Sequence, residues 1–149
     1  MEVNELSCKD LMVGDWVIPH IYDAALEPSK IVGIHYNSYK GKDYVDWVDC
    51  DVWDELSLND IKPIPLTPEI LEKNGFVENR GITSWKFETD REDLIDIYGV
   101  KDYHLSINIE DTHGSGKGYR WMLNNLTIFY VHQLQHALRL CGIEKTIEL

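Results

Sequence analysis

Cysteine is scarce and poorly spaced for chemistry. The chain has three, Cys8, Cys50 and Cys141. No CxxC pair is present, so neither a zinc-ribbon set nor a disulfide framework is expected. An odd, scattered set of thiols fits a reducing cytoplasm. Long apolar runs are also missing. No stretch approaches the roughly 20 residues needed to cross a bilayer as a helix. The acidic, polar opening MEVNELSCKD lacks the pattern of a secretory signal. No membrane partner is therefore expected. Basic residues are few, with 14 Lys and Arg against 26 Asp and Glu and a formal net charge of −12. Phosphate backbones are bound by Lys and Arg that displace counterions. Direct nucleic-acid binding through a broad basic face is not expected.

Catalytic signatures are lacking too. There is no GxSxG. The stretch HGSGKG (113–118) has Gly118 where a phosphate loop needs Ser or Thr, and no Gly lies five residues before Gly116. It reads as a hairpin tip, because loops concentrate Gly and polar residues. Cys50 lies among carboxylates, which raise a thiol's pKa rather than activate it.

What is present suits a globular chain of 149 residues. A hydrophobic fraction of 44% and 16 aromatic residues supply a core, and a charged fraction of 27% is ordinary. The acidic excess is uneven. Residues up to Pro65 carry 13 acids and 5 bases, and the remainder 13 acids and 9 bases. Solubility, a cation or a basic protein partner would each suit that balance.

Short strand signals fill the first half. GDWVIPH and KIVGIHY are followed by a turn around Gly41. DYVDWVDCDVWDEL then reads as one longer aromatic and β-branched strand. LSLNDIKPIPL closes the segment. Several short strands in about 50 residues suggest an SH3-like barrel over about 14–65. In PLTPEILEKNGF, Thr67 is a good N-cap, Pro68 suits the first helical position and Gly75 ends the helix, which predicts a helix over 68–74. Beyond it, TSWKFE reads as a strand and DLIDIYGV is ambiguous. HLSINIE and YRWML alternate as a hairpin over 103–123, with Tyr119, Trp121 and Leu123 on one side. LTIF offers a further strand, and a helix over 130–141 stops at Gly142. The expected fold class is α+β, mainly β. It has an SH3-like barrel subdomain in 1–65 and an antiparallel sheet with a C-terminal helix in 66–149.

The last helix carries His132 and His136 four apart, the spacing of a zinc-protease pair. At about 100° per residue, Val131, Leu134, Leu138 and Cys141 share one face. His132, Gln135, His136 and Arg139 fall opposite and are expected to face solvent. The protease motif needs Glu directly after the first His, and this chain has Gln133. Arg139 repels a dication, and no third ligand is evident in IEKTIEL. No metal and no cofactor are expected; any metal site would rest on His132 and His136. The acidic stretch offers a second candidate. Asp49 and Asp51 are expected on one strand face, interleaved with Trp47 and Trp53. Aromatic residues concentrate at the centres of protein interfaces.

KPIPLTPEILEKNGF (62–76), FYVHQLQHALRLCGIEKTIEL (129–149) and the GDWV strand at Gly14–Val17 resemble a group of small proteins of gut Bacteroidetes. Those proteins often occur in phage or prophage neighbourhoods and carry no assigned activity. The resemblance implies bacterial or phage origin, an intracellular location and an accessory role. It also implies a second-histidine position often held by another polar residue. The expected function is a non-enzymatic, cytoplasmic binding module with an unknown protein partner, a basic one among the options. Its contact residues would be Trp47, Asp49, Asp51 and Trp53, or His132, Gln135, His136 and Arg139. A metal-dependent hydrolase using His132 and His136, and an acidic anti-defence protein mimicking nucleic acid, are the alternatives.

Overall fold

Strands dominate because β-branched and aromatic residues recur at alternate positions, and a pleated chain sends successive side chains to opposite faces. The computed structural model describes residues 10–39, 42–79, 81–99, 102–111 and 118–149. The turn at Gly41, the HGSGKG loop up to Lys117, and Cys8 lie outside the described residues. The chain divides between Ile64 and Pro65 into two compact units.

In the first unit, β1 (Trp16–Ile21), β2 (Ala24–Ala25), β3 (Ser29–Tyr39), β4 (Lys42–Cys50) and β5 (Ile61–Pro63) form one sheet. Its path runs β2-β1-β3-β4, with β5 also paired to β1. All described pairings are antiparallel. Among the described residues the sheet does not close on itself. Leu11, Val17, Ile31, Val48, Cys50, Leu56 and Ile61 form its core. Asp15 is also buried, and its carboxylate accepts the Met12 N–H at 2.7 Å.

The long aromatic strand expected through residue 56 ends at Cys50. After Cys50 the chain bends, closed by the Cys50 N–H to the Trp53 carbonyl at 2.7 Å. Asp51 and Trp53 therefore lie in the bend, and Asp51 does not share a strand face with Asp49. A 3-10 turn (Leu58–Asp60) leads into β5, with Ser57 capping it by accepting the Asn59 N–H.

The second unit is an antiparallel meander in the order β10-β9-β8-β7-β6. Its strands are β6 (Val77–Asn79), β7 (Ser84–Glu88), β8 (Leu94–Tyr98), β9 (Tyr103–Asp111) and β10 (Gly118–Ile128). The ambiguous DLIDIYGV is thus a strand, and the hairpin continues through LTI rather than stopping at 123. Leu105 and Ile107 are buried, as the alternation predicts, but so are Ser106 and Asn108. Register shifts in β10 pair Trp121 with Asn108 and Leu123 with Ile107. Paired residues share a face and successive β9 residues do not, so Trp121 and Leu123 lie on opposite sides. This corrects the single stripe of Tyr119, Trp121 and Leu123.

Two helices complete this unit, α1 (Pro68–Lys73) and α2 (Val131–Leu140). The Thr67 hydroxyl accepts the Ile70 N–H at 3.3 Å, and Pro68 sits where no N–H is needed. Asn74 ends α1 and holds the C-terminal segment. Its amide donates to the Ile70 and Glu148 carbonyls and accepts from the Glu148 N–H, each at 2.7 Å. Lys73 donates to the Leu149 carbonyl beside it. Asn74→Ala is expected to cost about 1–3 kcal/mol, because backbone groups lose their partners. Hydrogen exchange should locate that loss at the Glu148 amide and spare the β8–β9 amides.

Candidate functional site

On the outer face of the first unit, β3 and β4 bring together residues far apart in sequence. Gly33 pairs with Asp49 and His35 with Trp47. Alternation puts all four on one face, while Ile34 and Val48 form the adjacent pair. His35 Nε2 lies 2.5 Å from Asp49 Oδ2. An ionised carboxylate only accepts, so the imidazole carries the proton at Nε2 and donates it. The His35 ring stacks on Trp47 with centroids 4.7 Å apart and planes 20° from parallel. A Cβ at Gly33 would stand 3.4 Å from both Asp49 Oδ2 and His35 Nε2, in van der Waals contact with the pair.

Asp49 is held from a second side as well. Its Oδ1 accepts the Glu55 N–H at 2.8 Å. That backbone bond, then the bond from His35, holds the carboxyl below its ordinary value, against a smaller opposing effect of burial. Asp51 accepts the Lys30 N–H at 3.2 Å. Trp53 is 42% exposed. Of the acidic aromatic set, Trp47 and Asp49 therefore share one site with His35. Asp51 and Trp53 belong to the adjoining bend. His35 was missed in the sequence because its partner stands on the next strand; the signal available was the Gly33–His35 alternation.

A folded-state pKa below the ordinary one means the ionised Asp49 stabilises the fold. The contribution is complete above the ordinary value of 3.8 and disappears as pH falls through the lowered one. A carboxyl-detected NMR titration is expected to give an Asp49 midpoint below 3.8. In His35→Ala the midpoint should rise only part of the way back, because the Glu55 N–H remains.

The last helix departs from expectation. His132 is 3% exposed and Gln135 8%, so neither faces solvent as the helical wheel predicted. Their burial accompanies that of Val131, Leu134, Ala137 and Leu138, which leaves little of the helix circumference uncovered. His136 is half-buried, and Arg139 and Leu140 are exposed. Tyr130 stacks on His132 with centroids 5.8 Å apart. His136 meets His132 edge-on at 5.6 Å. Gln133, standing where a protease would carry its Glu, caps the helix. Its Oε1 accepts the Phe129 and Tyr130 N–H groups at 2.7 and 3.1 Å. Among the described residues no three His, Cys, Asp or Glu side chains are placed to share a metal ion.

The described thiols are not activated. Cys50 is buried, and burial, with Asp51 and Asp49 adding to it, pushes its thiol up to about 11. Cys141 is raised by burial and by Asp93. No helix among the described residues is long and apolar enough to cross a membrane. Compared with known proteins, the chain matches no family description, no curated protein and no solved structure.

Proposed function

We propose that the protein is a non-enzymatic binding module whose first unit captures a basic segment of a protein partner. The observation that carries this reading is the fixed carboxylate of Asp49 beside the stacked His35 and Trp47. A Lys or Arg side chain is recognised by a carboxylate next to an aromatic ring, through charge-assisted hydrogen bonds and attraction to the ring. Each Asp49 oxygen has one described donor and retains acceptor capacity for another. Because both oxygens are already positioned, less ordering entropy opposes binding. Asp51 and Trp53 extend the same chemistry in the adjoining bend.

An SH3-like barrel is the finer fold reading of this unit. It is supported by the return of β5 antiparallel to β1, by the 3-10 turn before it, and by the Val48–Leu56 bridge. A cytoplasmic accessory role in a phage or mobile element is the context in which we place the module. That context rests on the resemblance in 62–76 and 129–149.

The test is calorimetric titration with a hexa-arginine peptide at physiological salt. Binding to the wild type is expected to saturate. Asp49→Asn should weaken it about 10- to 100-fold, the range for losing a hydrogen bond to a charged group. Trp47→Ala should weaken it as well, and Asp60→Asn, elsewhere in the same unit, should change it less than twofold. Equal loss in Asp49→Asn and Asp60→Asn would mean that diffuse negative charge alone attracts the peptide.

A further inference from the structure

A concave site lies wholly within the C-terminal unit and is independent of the acidic aromatic face. It is a cleft of about 370 Å³ between the β7–β8 turn and the segment after α2. That volume falls in the range of small-molecule sites, roughly 300–1,000 Å³. Phe87, Asp90, Arg91, Asp93, Glu144 and Lys145 are among the residues that line it.

Both walls are fixed. In the turn, the Thr89 N–H bonds to the Asp93 carbonyl at 2.9 Å, and the Glu92 N–H to the Thr89 carbonyl at 2.9 Å. The Thr89 hydroxyl accepts from the Asp93 N–H and donates to its carboxylate. On the other wall, the Ile143 N–H bonds to the Leu138 carbonyl at 2.9 Å, and Ile143 and Ile147 are buried. These anchors hold Glu144 and Lys145 in place between two core residues.

The charges in the cleft are mixed. Lys145 Nζ stands 3.9 Å from the centroid of the Phe87 ring. Among the described residues, neither Lys145 nor Arg91 has a carboxylate partner within ion-pair distance. Burial lowers the Lys145 pKa. An ammonium drawn out of water without a carboxylate partner is costly, and a bound anion offsets that cost. Asp93 is buried and bonded within its own turn. Asp90 and Glu144 are exposed at the cleft, so a simple anion meets repulsion there, and a simple cation meets it from Lys145 and Arg91.

We propose that this cleft binds a small zwitterion of the amino acid class, its carboxylate on Lys145 and Arg91 and its ammonium against Asp90 and Glu144. Such a ligand matches both signs at once. The cleft volume leaves space for its side chain.

The experiment is an amide-resolved NMR titration of the full chain with each of the twenty amino acids. Acetate and methylamine serve as single-charge controls. At least one amino acid is expected to give saturable shifts in residues 89–93 and 143–146, with both controls at least tenfold weaker. Lys145→Met, which keeps an apolar chain over Phe87, should weaken binding at least tenfold while leaving the remaining spectrum in place. Arg91→Gln, on the exposed rim, should weaken it as well and serves as the second variant if Lys145→Met does not fold. The proposal is overturned if no amino acid saturates these amides. It is equally overturned if acetate alone binds as well, or if both variants bind like the wild type.

Discussion

Gly99→Ala is expected to destabilise the second unit by about 3 kcal/mol or more, combining an unfavourable backbone conformation with overpacking. Gly99 directly follows β8 with φ +109, a region that L side chains rarely adopt. A Cβ built there would stand 2.5 Å from the Asp102 carbonyl oxygen. That oxygen belongs to the backbone just before β9, so it cannot swing aside as a flexible side chain would. Relief would need movement of the chain on which Tyr103 enters the core, and Tyr103 is 2% exposed. The effect should appear as a lowered urea midpoint. A midpoint within experimental error of the wild type would show that the β8–β9 connection has room that this geometry denies.

Leu134→Ala is expected to cost about 2–5 kcal/mol, the range for emptying a fully buried leucine site. Leu134 is 0% exposed and lies at the centre of α2, flanked by the buried Val131 and Leu138. Arg139→Ala, on the exposed part of the same helix, should change stability by less than about 1 kcal/mol. The contrast tests which side of α2 is covered. Equal losses in the two variants would mean that the helix is rotated from the orientation described. Both substitutions fall within one unit, so the urea transition of that unit should be followed by a local probe, such as Trp85 fluorescence with the other tryptophans replaced.

Sequence reasoning worked where local chemistry and global packing agree. Thr67 and Pro68 start α1 because an N-cap hydroxyl and a missing N–H satisfy the helix end without help from elsewhere. β9 was legible because Leu105 and Ile107 recur at every second residue. Three features were hidden for physical reasons. The β1–β2 hairpin turns on Tyr22 and Asp23, both at positive φ, where Asn-Gly would have signalled such a turn. The shifts in β10 reverse the faces of Trp121 and Leu123, and alternation counted along the strand cannot see an irregularity in pairing. The helical wheel of α2 located its most apolar stripe correctly. It misplaced His132 and Gln135, because a wheel ranks faces and does not count how many neighbours surround them.

The candidate sites divide in the same way. The acidic and aromatic character of residues 47–53 was plain in the sequence. The pairing of Asp49 with His35 was not, since it depends on the register between β3 and β4. The cleft at Lys145 left no trace in the sequence. Its two walls are a five-residue turn and a tail separated by some fifty residues, and neither carries a motif.

The most direct test of the binding account is where a basic peptide touches the protein. With hexa-arginine added to labelled protein, the account predicts the largest amide and imidazole shifts at Gly33, His35, Val48, Asp49 and Glu55, with smaller shifts through Asp51 and Trp53. Shifts spread evenly over acidic residues of both units, with His35 and Asp49 unmoved, would contradict it.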